Sequence, residues 1–164
     1  MAELVTLVDA SDNVIGSKDR ESVSDNDRWR AAQIWVANPK GRILIAKRTL
    51  NKKIQPGIWE PGASGTVTYP NSYEKTALLE LQEELGIKRK NLTLEKVIFW
   101  KSTLGSRACG LFRTVVDPQQ ETIKVQAEEI FEVKWMILDN LVEDYFKHPK
   151  KYVVEFGQLL EYYK

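Results

Sequence analysis

The segment Leu78-Leu79-Glu80-Leu81-Gln82-Glu83-Glu84-Leu85-Gly86-Ile87 constrains the fold of this chain more than any other. At about 100° per residue, Ala77, Leu78, Leu81 and Leu85 fall on one stripe, while Glu80 and Glu84 lie on the neighbouring side with Glu83 flanking them. The pattern predicts a helix over residues 72–85: Asn71 can cap its start, Glu74 sits three residues on as in a capping box, and Gly86 supplies a stop. Such a helix buries one side and gathers negative charge beside it. Carboxylates three and four residues apart repel, and at ~5 Å with an effective dielectric of about 20 each pair costs roughly 3 kcal/mol before salt and solvent relax it. A divalent cation reverses that sign. Oxygen ligands suit Mg²⁺ or Mn²⁺ rather than zinc, and the chain holds one His and one Cys. Because the same run also fits a solvated acidic face on any amphipathic helix, its surroundings decide.

Upstream, the strand-like stretch Pro56-Gly57-Ile58-Trp59-Glu60-Pro61-Gly62-Ala63-Ser64-Gly65 leads through a short loop into the capped helix. Glycines there let the backbone approach a metal or phosphate closely. Strands are expected at residues 3–8, 29–37 and 42–47, the last two joined by a hairpin at Pro39-Lys40-Gly41, and again at 92–103, 108–116 and 130–136. Helical patterns recur at 139–146 and 149–163, where Val153, Phe156, Leu159, Leu160 and Tyr163 share a face. The polar stretch 17–27 reads as one long loop. An α+β domain spanning residues 1–164 follows.

Length and composition fit one soluble core: 164 residues, 43% hydrophobic and 29% charged, with neither repeats nor low-complexity tracts. Twenty-four basic against 23 acidic residues leave a formal charge of +1, without the basic excess expected of a protein that lives on polymeric nucleic acid. No apolar run approaches the ~20 residues that cross a bilayer. Cys109 alone excludes an internal disulfide, and the start MAELVTLVDASD lacks leader character, so the expected address is the cytoplasm, with no membrane partner.

The acidic helix and its upstream glycine resemble the signature of the Nudix family, G-x5-E-x7-R-E-U-x-E-E-x-G-U, where U is a bulky aliphatic residue. Over residues 65–87, Gly65 takes the opening glycine, Glu80, Glu83 and Glu84 the downstream acids, Leu81 and Ile87 the aliphatic positions, and Gly86 the last glycine. Asn71 stands where the family has its first glutamate and Leu79 where it has arginine. The resemblance runs over most of residues 3–140 and implies an α/β/α sandwich with a mixed sheet, one catalytic helix and C-terminal helices. It further implies a Mg²⁺-dependent hydrolase (Mn²⁺ as substitute) that cleaves a diphosphate linkage in a nucleoside diphosphate derivative or related metabolite. The metal would be held by Gly65, Glu80, Glu83 and Glu84, with Glu80 or Glu129 as general base and Glu84 also catalytic; Glu128 and Glu132 are alternatives to Glu129.

In layout the chain is also similar to a branch of that family, the type I isopentenyl diphosphate isomerases. Arg48 and Lys52, in the stretch KRTLNKKIQPG, fall on that branch's phosphate-contacting positions. Its catalytic cysteine, however, would fall at Ser64 and its metal-binding histidines at Trp29 and Thr66. Protonating an alkene needs that missing acid, whereas hydrolysis needs water, metal and carboxylates. An isomerase-like enzyme and a non-catalytic phosphate-binding domain are the alternative readings. Trp35, Trp59 and Trp100 are either base-stacking or core residues, Cys109 is expected to be buried and inert, and His148 to be an exposed helix-end residue. A homodimer is possible: the C-terminal helix and N-terminal strands either cover the core or pair with another subunit.

Overall fold

The computed structural model describes residues 2–102 and 105–164. In chain order its strands are β1 (Leu4–Val8), β2 (Val14–Asp19), β3 (Arg28–Ala37), β4 (Arg42–Arg48), β5 (Trp59–Pro61) and β6 (Ala63–Thr66), then β7 (Lys96–Ser102), β8 (Gly105–Val115) and β9 (Ile130–Ile137). Helix α1 (Tyr73–Leu85) follows β6, while α2 (Leu138–Lys147) and α3 (Phe156–Tyr163) close the chain. The strands make one mixed sheet with β3 as its axis. Strand β8 takes one edge of β3 along its whole length, in parallel register from Arg28↔Ser106 to Ala37↔Val115. The other edge of β3 is divided among three antiparallel partners: β1 at Trp29, β6 at residues 31–34 and β4 at Ala37.

Period-two alternation along β3 gives each face of the sheet its own core. Ala32, Ile34 and Val36 join Phe112 and the α1 residues Ala77, Leu81 and Leu85. Trp35 joins Leu111 on the opposite face, where Leu141, Tyr152, Phe156, Leu159, Leu160 and Tyr163 cover it. Trp35 stacks on Tyr163 with ring centroids 4.4 Å apart, so this tryptophan and buried Trp59 belong to the core. The expected α/β/α sandwich with a mixed sheet is what the chain forms.

Helix α1 starts one residue later than the sequence suggests. Ser72 is the N-cap, its hydroxyl accepting the Lys75 N–H at 3.1 Å, while Asn71 donates its amide to Thr68 Oγ1 at 3.0 Å. Glu74 therefore closes no capping box; it accepts the Leu92 N–H at 3.2 Å and ties the following loop to the helix. Gly86 ends α1 in the left-handed conformation at φ 69°, its N–H bonded to the Gln82 carbonyl. The segment 17–27 is not one loop: residues 17–19 complete β2 against Thr6, Val5 and Leu4, and a 3-10 turn at Arg20–Ser22 follows. An edge strand with a wet face accepts such polar sequence, which hides it from hydrophobic pattern reading.

The C-terminal pattern also divides. A 3-10 turn at Pro149–Lys151 comes first, Tyr152 then bridges to Trp59, and only α3 is helical. The Val153 N–H donates to the Trp59 carbonyl at 2.9 Å, and this added backbone pairing displaces helix while leaving the predicted apolar face buried. Strand β7 begins at Lys96 rather than Leu92, and the predicted end at Thr103 lies outside the described residues. Among the described residues no helix is long and apolar enough to cross a membrane.

Candidate active site

Between β5 and β6 the chain turns at Gly62 and changes partner from β4 to β3. The rift this leaves in the sheet is closed by buried Gln33, whose amide donates to the carbonyls of Ala63, at 3.0 Å, and Pro61. Among the described residues only one edge of β6 is paired, and β6 lines a cleft of about 480 Å³. Helix α1 forms one wall of that cleft, and the loop after β4 forms the wall opposite.

On the α1 wall, Glu84 is 4% exposed and accepts the outward Ser64 N–H at 3.1 Å. The Ser64 hydroxyl donates to Glu60 at 2.8 Å, and Arg48 pairs with the other Glu60 oxygen at 2.9 Å. Arg48, Glu60, Ser64 and Glu84 thus form one connected chain of charge and hydrogen bonds. Gly65 lies directly against Glu80: a Cβ built on it would stand 2.0 Å from Glu80 Oε1. Only glycine leaves room for that carboxylate beside the strand. Burial, and then the Glu83 charge, push the Glu80 carboxyl up to about 7. Burial raises Glu84 as well, with Glu60 and Glu80 adding to the effect and the Ser64 N–H opposing it.

Glu83 is exposed at the mouth of the cleft, as is Leu79, which stands where the signature has arginine. The Glu60 charge acts on both Glu80 and Glu84, yet among the described residues no three acidic, His or Cys side chains stand in metal-ligating geometry. The donor chemistry nonetheless fits a hard divalent cation. Every side-chain donor is a carboxylate oxygen, each sits on a flexible stem, and the glycine gap at Gly65 admits Glu80 next to the backbone.

The opposite wall carries the basic residues. Arg48 is tied down on three sides, donating to the Gln55 and Ile54 carbonyls at 3.1 Å as well as to Glu60. It organises the loop of residues 49–58 while lining the cleft. Lys52 pairs with Glu129, and the Thr49 N–H and hydroxyl hold the Glu129 and Glu128 carbonyls, so this loop and the segment before β9 form one body. Burial first, then neighbouring Arg48, lower the Lys52 pKa. Of the acids near β9, Glu129 lines the cleft, Glu128 borders a neighbouring hollow beyond Lys52, and Glu132 points away to pair with Lys47 at 3.5 Å.

Sequence reasoning missed Glu60 and Gln33. The one signal for Glu60 is a lone carboxylate within the apolar run Ile58-Trp59-Glu60-Pro61. Cys109 is buried and its thiol pushed up by burial, His148 is exposed at the end of α2, and Trp100 borders the cleft.

The NUDIX domain model matches residues 27–156, a span that holds both walls of the cleft. The chain belongs to the Nudix family. It is 32% identical over 136 residues to an uncharacterized Nudix hydrolase of Pseudomonas aeruginosa, covering 82% of this chain and 79% of that one. It is also 25% identical over 163 residues to an isopentenyl-diphosphate Delta-isomerase of Serratia proteamaculans, covering 98% and 91%. In fold it is similar to DR0079 of Deinococcus radiodurans, with a TM-score of 0.81 at 20% identity over 99% of this chain and 100% of that one. Within this Nudix fold the opening glycine of the signature falls on the unpaired edge of β6, where it meets Glu80.

Proposed function

We propose that this Nudix hydrolase cleaves the diphosphate linkage of a nucleoside diphosphate derivative or related phosphorylated metabolite with Mg²⁺, or Mn²⁺ in its place. The observation that carries this reading is the pair of carboxylates, half-buried Glu80 at a glycine gap and buried Glu84 beside it, that line one cleft with Arg48 and Lys52. Glu80, Glu83 and Glu84, with the Gly65 carbonyl, would hold the ion. When bound, it screens the approaching phosphates from the acidic wall and lowers the pKa of water.

Arg48 and Lys52 orient the diphosphate. A carboxylate, Glu80 or Glu129, takes the proton of the attacking water. The water oxygen bonds to phosphorus, the bridging P–O bond breaks, and the leaving oxygen departs as phosphate or a phosphate monoester. Because Lys52 already pairs with Glu129, a phosphate that captures Lys52 also releases Glu129 toward water. The test is a metal-dependent screen of about a hundred diphosphate compounds: release of phosphate or a monophosphate that Glu83→Gln and Glu84→Gln abolish supports the reading, and failure of every compound overturns it.

The likeness to an isomerase over nearly the whole chain supports a second reading, isomerisation of a C5 diphosphate. Against it, Ser64 donates its hydroxyl to Glu60 and is committed to the network of the acidic wall. Interconversion of the two C5 diphosphates without phosphate release would establish it.

A further inference from the structure

One residue in the loop of residues 49–58 is held against its own backbone preferences. Gln55 stands at φ 50°, in the left-handed region that side chains rarely enter, and it precedes Pro56, which favours extended backbone. In an extended residue successive carbonyls point to opposite sides of the chain, whereas the left-handed conformation turns the carbonyls of Ile54 and Gln55 to the same side. Both accept from one guanidinium: Arg48 Nε donates to Gln55 and Nη2 to Ile54, each at 3.1 Å. With Nη1 bonded to Glu60, three of the five Arg48 N–H groups hold the side chain in place. Among the described residues, one N–H on each terminal nitrogen is left for a ligand in the cleft.

The tail of the chain keeps Gln55 in this conformation. The Val154 N–H donates to the Gln55 side-chain oxygen at 2.8 Å, and the same side chain hydrogen-bonds that of Glu155. The Phe156 N–H donates to the Val153 carbonyl at 2.9 Å, closing a turn over residues 153–156 in which Glu155, at φ −82° and ψ −4°, takes the third place. That turn leads directly into α3, where Phe156, Leu159, Leu160 and Tyr163 are buried. The grip on Gln55 is therefore anchored in the core.

We propose that Gln55 is a positioning residue for substrate binding: locked by residues 154 and 155, it holds the Arg48 guanidinium ready to receive a phosphate. This rests on the reading of Arg48 as a phosphate contact. Bidentate recognition of phosphate needs a fixed fork, and arginine carries its fork on a flexible stem. Without the Gln55 carbonyl the guanidinium turns about its bond to Glu60, and its two remaining N–H groups lose their aim. The end of the chain thus contributes to binding without touching the ligand.

The experiment measures, by calorimetry, the binding of inorganic pyrophosphate with Mg²⁺ to the wild type and to two variants. Gln55→Gly keeps the left-handed backbone accessible and removes the side chain that Val154 and Glu155 hold. Val154→Pro deletes the N–H that Gln55 accepts; the residue is exposed and occupies the second position of its turn, where proline is favoured. Each variant is expected to weaken binding roughly 10-fold, because a small misplacement of a binding group is costly, while the melting temperature stays within a few degrees of wild type. In an Arg48→Lys background, which has no Nε–H to aim, Gln55→Gly is expected to add nothing. Wild-type affinity in either single variant overturns the inference, and so does an undiminished further loss on top of Arg48→Lys. Pyrophosphate binding that behaves as expected while no diphosphate compound is cleaved defeats the hydrolase reading alone. Equal binding by the wild type and both variants, with cleavage intact, defeats this inference alone.

Discussion

The two walls of the cleft are made in different ways. The acidic wall stands on regular structure: α1 is capped at Ser72 and Gly86, Ala77, Leu81 and Leu85 of its apolar stripe are fully buried, and β6 offers an edge against which Glu84 is fixed. The basic wall is a loop, held by side chains that grip backbone carbonyls, Arg48 on Ile54 and Gln55 and Thr49 on Glu128. The first is rigid because its backbone hydrogen bonds are made within elements; the second is rigid only as far as a few residues hold it. The acidic wall is therefore expected to govern chemistry, and the basic wall to be the part that substitutions unfasten.

The largest expected effect is on the acidic wall. Glu84→Gln should lower kcat by at least about a hundredfold while raising the melting temperature of the metal-free protein, since it removes a buried like-charge contact. Kinetics and calorimetry on one preparation check both halves. A fall in both would mean that Glu84 serves the fold rather than the reaction. On the basic wall, Arg48→Ala should destabilise by about 3 kcal/mol, because Glu60 is left buried without its cation. Chemical denaturation measures this, and a loss close to zero would show that the loop stands without its arginine.

Gly65→Ala should keep the fold and lose activity tens of fold. The new Cβ meets the far end of the Glu80 side chain, which can swing away but then leaves the cleft wall. Thermal stability within a few degrees of wild type, together with the rate loss, is the expected signature.

The pH behaviour of the metal-free protein sharpens the comparison further. Glu80 has its folded pKa raised from 4.5 to about 7, so the folded state binds the proton more tightly than the unfolded chain. Stability is then full below about 4.5 and is lost as pH rises through about 7, the opposite of an ordinary salt-bridged carboxylate. Glu84, raised in the same direction, adds to the loss. Melting temperatures between pH 4.5 and 8 should fall with rising pH, and added Mg²⁺ should flatten the fall; a profile that rises would refute it. The smallest effect is expected from Leu79→Arg. This exposed residue stands beside Glu80, and restoring the arginine of the family signature should raise the rate a few-fold if it adds hydrogen bonds that orient that carboxylate.

These same differences explain what the sequence discloses. Ala77, Leu81 and Leu85 announce α1 by their spacing, and Gly86 its end, because helix periodicity and capping are local. The pairing of Gly65 with Glu80 follows only from the family resemblance, since nothing in a linear string shows that a strand edge and a helix face meet. Glu60 escapes notice because its role comes from Arg48 and Ser64, which fold brings to it from either side. Polar β2 lacks the apolar alternation that marks a strand. The C-terminal segment keeps its helical spacing yet breaks at Tyr152, because the bond from Val153 to Trp59 is a tertiary choice.

That last bond joins the tail of the chain to the strand that carries Glu60. It also brings residues 154 and 155 against the basic loop, the Val154 N–H donating to the Gln55 side chain at 2.8 Å, while every proposed metal-binding group lies between residues 65 and 84. The tail of the chain thus braces the wall that carries Arg48 and Lys52, and not the groups proposed to hold the metal. A change in the last dozen residues is therefore felt first through Trp59 and Gln55, by the strand and loop that steady the cations, before it reaches the carboxylates of α1.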